Sequence, residues 1–216
     1  MKRSHEKMWI VFLATYPPRE CGIATFTSDL LKNFDQLFVP HEEAKVIAMN
    51  TGVLQTYNYP KKVIRQISEN HPADYLLAAQ KLNTMPQVKL VSIQHEFGIF
   101  GADYGKNILL FLNEIKKPVV VTFHTVLPAP PQALKEVVVK IAERVELINV
   151  MTNTSKKLLL QVYGLPEEKI RIIPHGIHPL PYTDGKAARA LLRFSGKRVL
   201  STFGLLNKDK GIEYAI

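Results

Sequence analysis

Short apolar runs recur along the chain, each bounded by charged or turn-forming positions: WIVFLAT at 9–15, KVIAM at 45–49, KLVSIQ at 89–94, PVVVTF at 118–123, ELINVMT at 146–152, KIRIIP at 169–174 and RVLSTFG at 198–204. Their shortness, and apolar character that is continuous rather than alternating, predict strands of a sheet covered on both faces. Between most of them the apolar period lengthens to that of a helix. Ile23–Phe34 sets Phe26, Leu30, Leu31 and Phe34 on one face, and Val63–Ile67 opens a second helical stripe. Tyr104–Ile115 aligns Ile108, Leu109, Leu112 and Ile115, and Leu134–Val145 repeats the pattern. Parallel strands need long crossover connections, so this alternation predicts an α/β fold: a Rossmann-like parallel sheet flanked by helices.

Boundary residues divide the chain further. Asn153, Thr154 and Ser155 offer side-chain oxygens to cap a helix that runs through SKKLLLQVY and stops at Gly164, a residue suited to the left-handed position after a helix. The segment PHGIHPLPYTDG holds three prolines and two glycines in twelve residues, which marks a domain boundary. Residues 1–178 are expected to form one domain, and residues 179–216 a linker and the start of a second. That start reads as a strand, a turn and a helix beginning. A lone βα unit cannot bury both faces of a sheet, so the tail is expected to move or to associate with another copy through this partial domain.

Composition changes the picture in three ways. The 216 residues, 46% of them hydrophobic, suffice for one α/β domain plus a remainder. Cys21 is the only cysteine, which excludes an intramolecular disulfide framework and suits a reducing cytoplasm. The run Met8–Ala14 is too short for a spanning helix and leads into Pro17-Pro18 without a cleavage site, so a cytoplasmic location is expected, with peripheral contact at the membrane's inner face left open. The formal charge of +9 favours anionic partners, and seven Lys or Arg against one Asp fall between Lys186 and Lys210. A solvated basic helix face explains that cluster equally well. Nucleic acid is not expected as a partner, because the aromatics do not interleave with the basic residues as stacking platforms do.

In an open parallel sheet, ligands bind beyond the carboxyl ends of the strands. Four of the loops expected there carry unusual residues. YPPRECGIATF turns sharply at its prolines and places Gly22 at a helix start, where free amides suit a phosphate or a sugar hydroxyl; a plain turn with a packing glycine is the alternative. QHEFGIFGADYG sets His95 and Glu96 at a strand end, followed by Phe97, Tyr104 and several glycines, a mixture that suits a carbohydrate. HTVLPAPP begins with His124. Either histidine could instead be a satisfied structural residue. PHGIH holds His175 and His178 without a third ligand near in sequence, so no metal site is expected. Cys21 reads as a small buried residue and Trp9 as core. G-x-G-x-x-G and G-x-x-x-x-G-K-[ST] are both absent from the sequence, which removes the usual phosphate grips of nicotinamide-binding domains and P-loop NTPases.

Four segments in order resemble the retaining GT-B glycosyltransferases of family 4: YPPRECGIATFTSDL, TFHT, TSKKLLLQVYGLPEEKIRIIPHGI and STFGLLNKDKGIEYAI. The resemblance implies a first domain that binds a carbohydrate or lipid-linked acceptor and a second that binds a nucleotide-diphospho-sugar, with transfer needing no cofactor and no obligatory metal. It further implies that His124 is catalytic, near the reacting carbon of the donor sugar. Gly22 and Lys210 would serve the donor phosphates, and His95, Glu96, Phe97 and Tyr104 would contact acceptor. Leu205, after Gly204, stands where the family carries an arginine, and His175 and His178 replace the asparagine and aspartate of its domain-closing motif. Ile216 precedes the family's paired-glutamate segment, so the chain is expected to be half an enzyme and inactive alone. A non-catalytic sugar- or phosphate-binding module is the alternative.

Overall fold

The computed structural model describes residues 7–38, 40–52, 56–202, 204 and 211–214. The chain divides into two compact units, Met1–Pro174 and His175–Ile216. In the first, β1 (Met8–Ala14) leads through α1 (Gly22–Phe38) to β2 (Glu42–Asn50) and β3 (Val63–Ser68). The chain then alternates through α2 (Pro72–Asn83), β4 (Val88–His95), α3 (Ile108–Glu114), β5 (Val119–Phe123), α4 (Gln132–Arg144), β6 (Leu147–Val150), α5 (Asn153–Gln161) and β7 (Ile170–Ile172). The strands form one seven-stranded sheet in the order β3-β2-β1-β4-β5-β6-β7, with every adjacent pair parallel. This is the α/β Rossmann-like sheet that the apolar runs predict.

The period-two geometry of strands sorts side chains between two cores. Val11, Leu13, Ile47, Met49, Val91, Ile93, Val121, Phe123, Ile148 and Val150 join residues of α2, α3, α4 and α5 in the larger one. Phe12, Ala44, Val46 and Ala48 meet Leu31 of α1 on the other face. Ser92, Gln94 and Thr122 occupy the intervening positions of β4 and β5 and are also buried, so polar groups run along this second face toward the carboxyl ends of the strands.

Several elements differ from expectation. Val63–Ile67 is a strand: it pairs with β2 at the sheet edge, and its Val-Ile-x-x-Ile spacing fits a helical stripe only by coincidence of short length. The helix lies beyond it, opening at His71 with Pro72 in its first turn. The predicted helix from Tyr104 begins at Ile108, because Tyr104 (φ 60°) and Gly105 (φ 78°) take left-handed conformations that no α-helix continues. The cap of α5 is Thr152, whose Oγ1 accepts from Ser155 N at 3.0 Å, one residue ahead of the expected group. Gly164 ends that region with φ 71°, as its type predicts.

In the second unit, α6 (Gly185–Leu191) is capped by Asp184, whose carboxylate accepts from Lys186 N and Ala187 N. The predicted strand at 198–204 is not formed at 198–202, the described part of that run apart from Gly204. A strand is stabilised by a neighbouring ladder and burial, and none of the described residues of this unit is buried.

Candidate active site

The loops after β1, β4 and β5 open at the carboxyl end of the sheet. Cys21 precedes α1 and acts as its cap: its Sγ lies 3.1 Å from Thr15 Oγ1 and 3.4 Å from the Ala24 amide. It is a partly exposed capping residue rather than a buried one. Gly22, the first helical residue, is exposed, and a side-chain carbon built on it would meet no atom within 4 Å. Packing therefore does not require glycine there, and the helix start is open to solvent.

His124 follows β5 directly. Its backbone N–H donates to His95 O at 3.1 Å, extending the ladder one step past the strand. Its Nε2 lies 3.0 Å from Gln94 Oε1, and its ring meets the Phe26 ring of α1 edge-on at 4.8 Å. Through Phe26 the structure brings His124 beside the first turns of the helix that begins at Gly22. The ring is half-buried and accessible from the rim.

His95 lies one strand away on the opposite face. Register pairs it with Phe123, so its side chain enters the larger core, where it is 1% exposed. Phe100 stacks on it at 5.4 Å, and Phe97 and Phe123 meet it edge-on at 5.5 and 5.2 Å. Neither ring nitrogen has a hydrogen-bond partner. Burial, and secondarily the neighbouring His124, push its pKa down to about 3. The imidazole is neutral and enclosed, so in this conformation it backs the rim instead of touching a ligand across it.

Glu96 joins the two loops. Its Oε1 accepts from Phe97 N at 2.9 Å, and its Oε2 accepts from the Thr125 hydroxyl at 2.6 Å. Both carboxylate oxygens are thus engaged, and the half-buried group ties the loop after β4 to that after β5. Phe97 is half-buried, with one side of its ring on His95. Tyr104 is 37% exposed at the turn that closes this loop. Gly105 sits beneath it, placed so that a side-chain carbon would lie 3.3 Å from Phe100 Cβ and 3.6 Å from His95 Nε2. Lys210 and Leu205 lie outside the described residues. His175 and His178 are exposed, and no group of three metal-ligating side chains occurs among the described residues.

Sequence reasoning missed Gln94, Thr125 and a polar tie on the far side of the loops. Arg19 donates to Met49 O at 2.9 Å and pairs with Glu69 at 3.5 Å, with side chains only 10% and 14% exposed. The Glu69 carbonyl accepts from Tyr75 Oη and Asn107 Nδ2, both at 3.0 Å. Loops after β1, β3 and β4 are thereby pinned together. The parity of KLVSIQ carried a signal for Gln94: polar Ser92 and Gln94 share a face that Val91, Ile93 and His95 do not.

The profile of glycosyltransferase family 4 matches residues 22–179. Among solved structures, a glycosyltransferase from Rickettsia africae ESF-5 superposes with a TM-score of 0.55 at 18% identity, over 88% of this chain and 50% of that one. At that identity the likeness shows the fold, and the chain spans half the length of the protein it matches. No curated protein matches the sequence.

Proposed function

Because the chain belongs to glycosyltransferase family 4, we propose that it forms the acceptor-side half of an enzyme that moves a sugar from a nucleotide-diphospho-sugar to a carbohydrate or lipid-linked acceptor, with retention at the anomeric carbon. The observation that carries this reading is the placement of His124, hydrogen-bonded and ring-packed at the strand-end rim beside the open start of α1. A polar group held there costs little reorganisation as charge develops on a reacting sugar, which is how a preorganised site lowers a barrier. The amides at Gly22 suit a diphosphate or a hydroxyl, and Lys210 would neutralise the leaving diphosphate. Phe97 and Tyr104 supply aromatic surface for the acceptor's C–H faces, while His95 supports them from below. No cofactor or obligatory metal enters this reading. The domain division it uses is residues 1–178 for the acceptor side and 179–216 for a linker and the beginning of the donor side.

No helix among the described residues is long and apolar enough to cross a membrane. We take a lipid-linked acceptor to be met in peripheral contact at the membrane's inner face.

The test incubates the purified chain with a panel of nucleotide-sugars and scores nucleotide release and sugar transfer. No turnover is expected from the 216 residues alone. In the enzyme joined to its donor-binding half, His124→Ala should lower kcat by about 100-fold or more, with thermal stability little changed. Turnover by the isolated chain that His124→Ala abolishes would overturn the half-enzyme reading. An unchanged kcat in the joined enzyme would return His124 to a structural role, and absence of transfer by the joined protein would leave a non-catalytic sugar- or phosphate-binding module.

A further inference from the structure

Gln94 is the penultimate residue of β4, 1% exposed, and it lies on the face of the sheet opposite His95. Its amide spans two partners. Nε2 donates to Ser92 Oγ at 3.3 Å, two residues earlier on the same strand face. Oε1 faces His124 Nε2 at 3.0 Å. A long, flexible amide is costly to bury in a sheet unless its groups are paired. Here the pairing has a direction: the amide nitrogen is spent on Ser92 Oγ, and the carbonyl oxygen is the atom that meets the imidazole.

A carbonyl oxygen only accepts, so His124 Nε2 must carry the hydrogen. The ring's basic lone pair is then on Nδ1, and any proton the neutral ring takes up goes there. Two further contacts set the plane. The backbone of His124 is held by His95 O, and Phe26 meets the ring edge-on, with 85° between the planes. Backbone, hydrogen bond and aromatic edge together leave little freedom of ring rotation.

We propose that Gln94 is the positioning residue of His124: through its Ser92-oriented amide it holds the imidazole in one orientation and in the Nε2–H tautomer, making Nδ1 the nitrogen that works in glycosyl transfer. The proposal rests on the reading of His124 as the catalytic histidine, but its structural content stands apart from that reading. If transfer proved wrong, the tautomer would still be measurable.

The experiment is a long-range nitrogen–proton correlation spectrum of the histidine rings in the uniformly nitrogen-15-labelled 216-residue chain at neutral pH. The His124 signals are assigned by their loss in His124→Asn. The expected wild-type result is a single Nε2–H pattern, with Nδ1 as the unprotonated nitrogen. Gln94→Met keeps the side-chain length and removes the acceptor, and should give averaged nitrogen shifts typical of a free imidazole. Gln94→Glu restores an acceptor oxygen and, in a spectrum taken at a pH where the ring is neutral, should restore the Nε2–H pattern.

An Nδ1–H form or a tautomer mixture in the wild type overturns the proposal, and needs no variant. A pattern unchanged in folded Gln94→Met also overturns it, because something other than Gln94 would then fix the ring. Backbone amide dispersion reports folding in each variant. Should Gln94→Met not fold, Ser92→Ala, which frees the amide to flip, is expected to broaden the His124 pattern; a sharp unchanged Nε2–H signal there would count against the Ser92–Gln94 orientation. In the joined enzyme, Gln94→Met should lower kcat more than it raises KM, a split that a loss of packing alone does not give.

Discussion

His95 and His124 stand at the ends of adjacent parallel strands, and the two faces of the sheet treat them oppositely. His95 enters the larger core among three phenylalanine rings with both nitrogens unpartnered. His124 lies on the polar side of β4 and β5, bonded to Gln94 and open at the rim. The same side chain is thus a neutral aromatic plug in one place and an oriented polar group in the other. What separates them is the parity of the strand. His95 falls in step with Val91 and Ile93, whereas His124 follows Phe123 by one residue and falls in step with Thr122.

The enclosure of His95 depends on a strained loop, which offers the sharpest way to break the contrast. Gly101 has φ 59°, and a side-chain carbon there would sit 1.9 Å from Glu69 O. Ala102, at φ 36°, and Tyr104, at φ 60°, occupy positions seldom taken by residues other than glycine. Gly101→Ala should destabilise the protein by roughly 3 kcal/mol in urea denaturation, since the clash is with backbone and the conformation is unfavourable as well. The loop would shift Phe100 and wet His95, while the contact between Phe26 and His124 should survive. Stability within about 0.5 kcal/mol of the wild type would mean that the loop does not close the box as described.

A second effect follows from the depressed basicity of His95. The unfolded chain takes up a proton near 6.5, but the folded one does so only near 3. The unfolded state therefore binds more protons between those values. Stability is fully present above the unfolded value and is lost as pH falls through the window, at up to about 1.4 kcal/mol per pH unit. Relative to His95→Leu, which has nothing to protonate, the wild type should lose about 2 kcal/mol between neutral pH and pH 5. Parallel stability curves for the two proteins would show that the imidazole is already solvated.

Much of this arrangement was legible in the chain, and the losses have physical causes. Continuous apolar runs marked six of the seven strands and put His124 at a strand end. β3 carries a helical spacing in the sequence because an edge strand of six residues is too short for its period to declare itself. α2 went unseen because Leu76 and Leu77 are exposed while small Ala78 and Ala79 are buried, which blurs the stripe. RVLSTFG has the composition of a strand, but pairing and burial come from outside the segment. At the site, residue type located both histidines without separating plug from rim. Reading the polar Ser92 and Gln94 against Val91 and Ile93 would have done so. The ties made by Arg19, Glu69 and Thr125 join loops distant in sequence, and spacing carries no mark of them.

The smallest effect tests whether box and rim are separate mechanical units. Thr125 donates to Glu96 Oε2, and Glu96 Oε1 accepts from the Phe97 amide; Glu96 is the bracket between the loop that bears His124 and the loop that covers His95. Thr125→Val keeps the shape of the side chain and removes only the donor. The carboxylate remains half-exposed, so water replaces part of the lost bond and the net cost should be about 1 kcal/mol. That corresponds to roughly a fivefold rise in local opening. Hydrogen exchange at the Phe97 amide should quicken by about that factor. The Gly105 amide, bonded to Ala102 O inside the strained turn, should keep its protection, because the aromatic stack on His95 holds that turn without Glu96. Equal acceleration at both amides would show that the loops open as one unit, and the division between a buried histidine and one at the rim would then depend on a single hydroxyl.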